Sequence, residues 1–152
     1  FFLSEEEFAA RADAGEFLEH ALVHGRRYGT LKNQVLPALS MGQDVIMDLD
    51  IQGAQQLREC PDEAIRRALV DVFIMPAGMD DLRARLSGRR SESEEELDLR
   101  LRNAAAEMEH WQSYAFTIIS RTREADLAAF RSILSSERHR SSRLRPGPSF
   151  PA

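Results

Sequence analysis

Apolar positions recur along this chain in short blocks whose period switches between helical and extended, and a capping residue or a glycine marks most of the switches. Ser4-Glu5-Glu6-Glu7-Phe8 predicts a helix start: Ser4 is the N-cap, Glu7 three residues on completes a capping box, and Leu3 and Phe8 form a hydrophobic staple. Gly15 ends that helix. Phe17 to His24 reads as a strand, Gly25-Arg26-Arg27 as a tight turn, and a short return strand runs through Tyr28. Thr30 is placed to cap the next helix, which Gly42 closes; Pro37 inside it deletes a backbone hydrogen bond and predicts a kink or an early break. Asp44 to Asp50 (DVIMDLD) and Val70 to Met75 (VDVFIM) predict strands, each followed by a helical stretch, Gln52 to Glu59 and Asp80 to Leu86. Leu97, Leu101, Ala104, Met108 and Trp111 recur at spacings of 4, 3, 4 and 3, which places them on one face of a long helix. Phe116 to Ile119 predicts a last strand and Glu124 to Arg140 a last helix. The charged segment Ser87 to Glu96 reads as a mobile loop, and the Pro-rich tail from Ser141 as disordered. Strands alternating with helices predict an α/β domain with a parallel sheet.

Composition narrows the class. The 152 residues, 43% hydrophobic and 30% charged, suit one globular domain with a single core. A chain of that length buries roughly 68–70% of its unfolded surface, so it needs neither disulfides nor a structural metal. Cys60 is the only cysteine; it excludes an internal disulfide and a thiolate zinc site, and the expected compartment is the reducing cytoplasm. The longest apolar run, Ala68 to Met75, is interrupted by Asp71 and falls far short of the ~20 residues of a membrane helix. Phe1-Phe2-Leu3 runs directly into Ser4-Glu5-Glu6-Glu7, unlike a signal peptide, and the first residue is not Met, which leaves room for a longer chain. A net charge of −5 argues against nucleic-acid partners. Arg83, Arg85, Arg89, Arg90, Arg100 and Arg102 nevertheless form a dense basic set, and its natural partner is a small anion.

Candidate chemistry concentrates in three places. Asp48 and Asp50 end a predicted strand two residues apart, where ligands bind in open α/β sheets. Such a pair suits Mg²⁺ held through water, and spacing alone fits solvated loop acids equally well. Arg85, Arg89 and Arg100 match phosphate oxygens with their guanidinium forks, or else lie on a solvated face paired with Glu92, Glu94, Glu95 and Glu96. Glu19 interrupts an apolar strand between Leu18 and His20. Its two acceptor oxygens complement the adjacent ring N–H and exocyclic amine of guanine, a donor pair adenine lacks. Tyr28 and Thr30 add hydroxyls nearby, and Gly29 between them permits close approach. His20 and His24, about 13 Å apart along a strand, cannot share a metal, and with His110 and Cys60 they read as packing or surface residues.

The ordered series GEFLEH (residues 15–20), YGT (28–30), MDLDIQGAQQLR (47–58), RLSGRRSESEEE (85–96) and Arg100-Leu101 resembles the guanylate kinase family, from Phe1 to about Arg140. The resemblance implies a P-loop NTPase-like parallel sheet with helices on both faces, plus a small mixed GMP-binding subdomain and a lid. It lays out a domain over residues 1–140, with a GMP-binding region at 1–42, core at 43–84 and 101–140, a lid at 85–100, and a disordered tail at 141–152. Glu19 then matches the acid that reads guanine, Thr30 the hydroxyl beside it, and Tyr28 the phenol on the monophosphate. Asp48 and Asp50 match the acidic pair between nucleotide and Mg²⁺, with no direct protein ligand to the metal. Arg89 and Arg100 resemble the arginines on the phosphates, and Arg85 the lid arginine facing ATP. The implied reaction moves the γ-phosphoryl of ATP to GMP, in purine nucleotide metabolism. It needs positioning and charge neutralisation and no side-chain nucleophile.

The departures from the family are specific. No G-x-x-x-x-G-K-[ST] occurs in the 152 residues, so the chain as given is expected to be a poor catalyst with an incomplete sheet. Arg90 stands where the family usually has Gly, and Ser120-Arg121-Thr122 where it usually has Asn-Asp-Asp near the adenine. Two other readings fit the pattern: a non-catalytic guanylate kinase-like protein-binding module, and a kinase of another small phosphorylated substrate. Glu19 separates them, because only a guanine site needs that acid.

Overall fold

The computed structural model describes residues 2–23, 25–87 and 94–144, which fall into two compact units, Phe1–Leu69 and Val70–Ala152, where the composition suggested one core. The division lies inside the stretch 43–84 read as core.

In the first unit, helix α1 (Glu5–Asp13) starts as its sequence dictates. Ser4 Oγ accepts from the Glu7 N–H at 3.1 Å, and the Ser4 N–H donates to Glu7 Oε2 at 2.9 Å. Those bonds hold the Glu7 carboxyl below its usual range. Gly15 takes φ +65°, the left-handed geometry that ends the helix without a Cβ penalty. Strands β1 (Phe17–Val23) and β2 (Arg26–Leu31) form an antiparallel hairpin with an irregularity between Phe17 and Glu19. Phe8 of α1 stacks on Phe17, ring centres 4.5 Å apart, with His20 edge-on to both.

The return strand is longer than predicted, and Thr30 lies within it. Leu31 occupies the N-cap of α2 (Lys32–Ser40) and offers no side-chain cap. The ladder has claimed Thr30, so it does not cap. Helix α2 runs through Pro37 to Ser40 without the early break, and Gly42 closes it at φ +74°.

No strand pairing forms over residues 43–50 among the described residues, contrary to the expectation for Asp44–Asp50. Its alternation survives only in part, with Met47 and Leu49 half-buried against the core and Asp48 exposed between them. An apolar alternation records which face turns inward, whereas a strand also needs a neighbour to take its backbone groups. Helix α3 (Ile51–Arg58) follows, and then a helix the pattern did not reveal, α4 (Glu63–Ala68), where Asp62 Oδ1 accepts from the Ala64 N–H at 2.8 Å. Leu18, Val35, Leu57, Cys60 and Ile65 are the buried centre of this unit. Burial of each larger aliphatic side chain among them contributes about 1.5–3 kcal/mol relative to exposure.

In the second unit, β3 (Val72–Pro76) and β4 (Phe116–Ser120) pair in parallel, Val72 with Phe116 through Pro76 with Ser120. Asp71 sets that register: its Oδ1 accepts from the Ala115 N–H at 2.8 Å and its carbonyl from the Phe116 N–H at 3.2 Å. Helix α5 (Met79–Ser87) precedes α6 (Glu94–Met108), and Arg83 of α5 reaches Asp98 of α6 at 3.2 Å. Ser87 and Glu94–Glu96, read as loop, belong to these helices; the intervening loop residues lie outside the described set. Along α6, Leu101 is buried and Leu97, Ala104 and Met108 are half-buried, as their spacing predicts. Trp111 leaves that face because the chain tightens into a 3₁₀ helix at Glu109–Ser113, whose three residues per turn break the stripe; it is exposed.

Helix α7 (Arg123–Arg138) ends beside a 3₁₀ turn at Ser141–Arg143, so the predicted disorder does not begin at Ser141. Buried Glu137 accounts for this: Arg140 donates to both its oxygens and Arg143 Nε donates to Oε2 at 3.0 Å. These guanidinium bonds, Arg140's foremost, hold the Glu137 carboxyl below its usual range. Residues 145–152 of the expected tail lie outside the described set.

Gly29 is the tightest point of the hairpin. A Cβ there would lie 2.8 Å from Phe17 Cδ1 and 2.9 Å from both the Glu19 carbonyl oxygen and His20 Cβ. Gly29→Ala is expected to destabilise the chain by on the order of 1–3 kcal/mol in urea denaturation, and an unchanged midpoint would contradict this packing.

Candidate functional site

The hairpin sorts its side chains by parity. Glu19 lies opposite Thr30, Ala21 opposite Tyr28, and Val23 opposite Arg26. Because alternate residues share a face, Glu19, Thr30 and Tyr28 stand on one side of the two strands. Glu19 is only 5% exposed, Thr30 is half-buried, and Tyr28 is 54% exposed. No hydrogen-bond donor among the described residues engages the Glu19 carboxylate.

Helix α3 brings Glu19 its neighbours. A Cβ on Gly53 would stand 2.9 Å from Glu19 Oε2 and 3.4 Å from Asp50 Oδ1, so any larger residue there would displace the Glu19 carboxylate from its present position. Asp50 is the N-cap of α3, its Oδ1 accepting from the Gly53 N–H at 2.8 Å. The helix is fixed to the strand edge by Gln56, whose Nε2 donates to the His20 carbonyl at 2.7 Å and whose Oε1 accepts from the His20 N–H at 3.1 Å. Neither Gly53 nor Gln56 was singled out from sequence, although both lie in the motif Met47 to Arg58.

The acidic pair is thus split in role. Asp50 is occupied as a helix cap, and Asp48 is an exposed carboxylate. No group of three or more His, Cys, Asp or Glu side chains able to cage a metal occurs among the described residues. A hollow of about 320 Å³ in the same unit, lined among others by Leu18, Lys32, Glu59 and Cys60, contains none of the candidate site residues.

The second unit holds Arg85 and Arg100. Arg85 is engaged on both sides: its Nε donates to Asp81 Oδ1 at 3.0 Å, its Nη2 lies 2.9 Å from Asp81 Oδ2, and its Nη1 donates to Ser120 Oγ at 2.9 Å. Ser120 Oγ in turn donates to Asp126 Oδ2 at 2.7 Å, and the Arg121 N–H donates to Asp126 Oδ1 at 2.9 Å. The sequence suggested glutamates of the following loop as its partners; Asp81, one helical turn earlier, holds it instead. Arg100 is half-buried in α6 and has interaction partners of its own. Arg89 and Arg90 lie outside the described residues, as does His24.

The family model described as "Guanylate kinase" matches residues 1–137. The chain belongs to the guanylate kinase family. A guanylate kinase of Bartonella henselae is 40% identical over 137 residues, covering 90% of this chain and 60% of that protein. A guanylate kinase of Chelativorans sp. is 42% identical over 147 residues, covering 96% of this chain and 65% of that protein. The crystal structure of guanylate kinase from Anaplasma phagocytophilum superposes with a TM-score of 0.77 at 29% identity, over 94% of this chain and 67% of that one. The fold is accordingly the α/β fold of guanylate kinases, and this chain spans less than two thirds of the length of those two sequence relatives. No described helix is long and apolar enough to cross a membrane.

The Ser120 network carries a pH signature. The Ser120 hydroxyl, the Arg121 N–H and nearby Arg85 hold the Asp126 carboxyl below its ordinary value. A carboxyl depressed in the folded state contributes stability that is present above its unfolded pKa and is lost as pH falls through the folded one. Ser120→Ala is therefore expected to move the Asp126 titration upward, read by carboxyl carbon NMR, and an unshifted titration would count against the network.

Proposed function

We propose that this chain carries the acceptor side of a guanylate kinase, the part that binds GMP for phosphorylation to GDP by ATP. The observation that carries the reading is Glu19: a buried carboxylate on the hairpin face, with no protein donor among the described residues and a half-buried hydroxyl, Thr30, directly across the ladder. Guanine brings the two adjacent donors such a group lacks, the ring N–H and the exocyclic amine. Tyr28, two residues along β2 and exposed, is available to the monophosphate.

On this reading the phosphoryl donor is ATP, Arg85, Arg89 and Arg100 are the cationic residues for phosphate, and Asp48 is the acid toward Mg²⁺. Arg85 already bonds Asp81 and Ser120, so a two-point grip on a phosphate competes with those bonds. Mg²⁺ fits the acids present. The ion keeps several waters and takes one or two carboxylates plus phosphate oxygens, and Asp48 is exposed to offer one carboxylate through water while Asp50 holds α3. When bound, the ion neutralises phosphate charge; the protein's own part is to orient GMP and to line up cations. A cytoplasmic setting agrees with the single reduced, buried Cys60.

The test is calorimetric titration of the folded chain with GMP and with AMP. Saturable GMP binding with no AMP binding is expected. Glu19→Gln, which replaces one acceptor oxygen by a donor, is expected to weaken GMP by about tenfold or more. A folded chain that ignores GMP would instead favour the non-catalytic protein-binding module, and an unchanged affinity in the Glu19 variant would remove that residue from guanine recognition.

A further inference from the structure

Two adjacent arginines open β2 and meet different surroundings. Arg27 lies across from Leu22, its Nε 3.3 Å from Glu5 Oε2 and its guanidinium 5.7 Å from the centre of the Phe8 ring. It fastens the hairpin to α1. Arg26 lies across from Val23, one residue earlier, and parity puts it on the opposite face, that of Tyr28, Thr30 and Glu19. It is exposed, and among the described residues neither a carboxylate nor a carbonyl engages it.

The face therefore has a polarity. The buried acid Glu19, beside Thr30, sits at one end, the phenol of Tyr28 lies about 7 Å further along β2, and the cation Arg26 about 7 Å beyond that. A ligand with neighbouring N–H donors at one end and a dianion at the other is oriented by both ends: the carboxylate repels the phosphate, and the guanidinium attracts it. Arginine is suited to this, because its planar fork binds two phosphate oxygens side by side and stays charged at any working pH. Its long side chain can fold back along the strand toward the Tyr28 hydroxyl.

Resting on the GMP reading above, we propose that Arg26 is a substrate-binding residue: it contacts the monophosphate alongside Tyr28 and fixes which way the nucleotide lies on the hairpin. Arg27, on the other face, has no such part.

The experiment compares GMP with guanosine, which lacks the phosphate, by calorimetric titration of the wild-type chain and of Arg26→Ala, Arg26→Lys, Arg27→Gln and Glu19→Gln. Arg26→Ala is expected to weaken GMP by about tenfold while leaving guanosine within about twofold, with Arg26→Lys intermediate and Arg27→Gln like wild type. An equal loss for GMP and guanosine would reduce Arg26 to a structural residue and overturn the proposal. An equal loss of GMP affinity in Arg27→Gln would reduce the effect to net charge and overturn it as well. If Arg26→Ala binds GMP as wild type does while Glu19→Gln does not, the Arg26 proposal fails and the GMP reading stands. Absence of GMP binding by the folded wild-type chain would bring down both.

Discussion

The approach of helix α3 to strand β1 is the constraint on which the first unit depends. It buries Glu19 against the first turn of α3, where a methyl group on Gly53 would displace the carboxylate. Helix α3 is held beside the acid from two points. Asp50 caps the first turn of α3, and Gln56 bonds both the N–H and the carbonyl of His20, standing in for a neighbouring strand at that point of the β1 edge. Those bonds satisfy backbone groups that would otherwise be left open on an edge strand. The same bonds set the depth at which Glu19 sits.

The second unit resolves a comparable problem at the end of a parallel pair. Where β4 finishes, the chain must turn into α7, and Ser120 lies at the junction with its hydroxyl between a guanidinium and a carboxylate. Arg85 and Asp126 thereby tie α5 to the start of α7 through one side chain. The phosphate role proposed for Arg85 draws on the same guanidinium that makes these bonds. Asp81, one turn before Arg85 on the same helix, makes the structural pairing local and easily formed.

These two sites show why some of the molecule was legible in the sequence and some was not. The capping box at Ser4, the left-handed glycines at positions 15 and 42, and the stripe on α6 are local devices, decided within a few residues, and they occur where the pattern places them. The run Asp44–Asp50 has the composition of a strand, but a ladder is a property of two segments, and no pairing forms there among the described residues. Thr30 failed as a cap for the converse reason: the hairpin ladder extended over it. Glu19 was conspicuous as a charge in an apolar run, yet neither its depth nor its dependence on Gly53 can be read without knowing that α3 passes beside it. The roles of Glu19, Tyr28 and Thr30 came from resemblance to a family, and the register of the hairpin adds the physical fact that all three share a face.

That shared face bears on selectivity. On the proposed reading, a purine presents its edge to the Glu19 carboxylate and Thr30 from that face. Guanine presents two donors to the acid, whereas adenine turns a ring nitrogen lone pair toward it. Gaining hydrogen bonds from guanine is worth only a modest amount net, because the base gives up water to make them. The larger part of the discrimination comes from the wrong base: adenine sets an acceptor against the Glu19 oxygens and displaces their water without supplying donors in return. Selectivity of this kind depends on Glu19 having no protein donor, and on α3 leaving it room beside Gly53. On that reading the packing of one helix against one strand bears on the fold of the first unit and on its choice of base together.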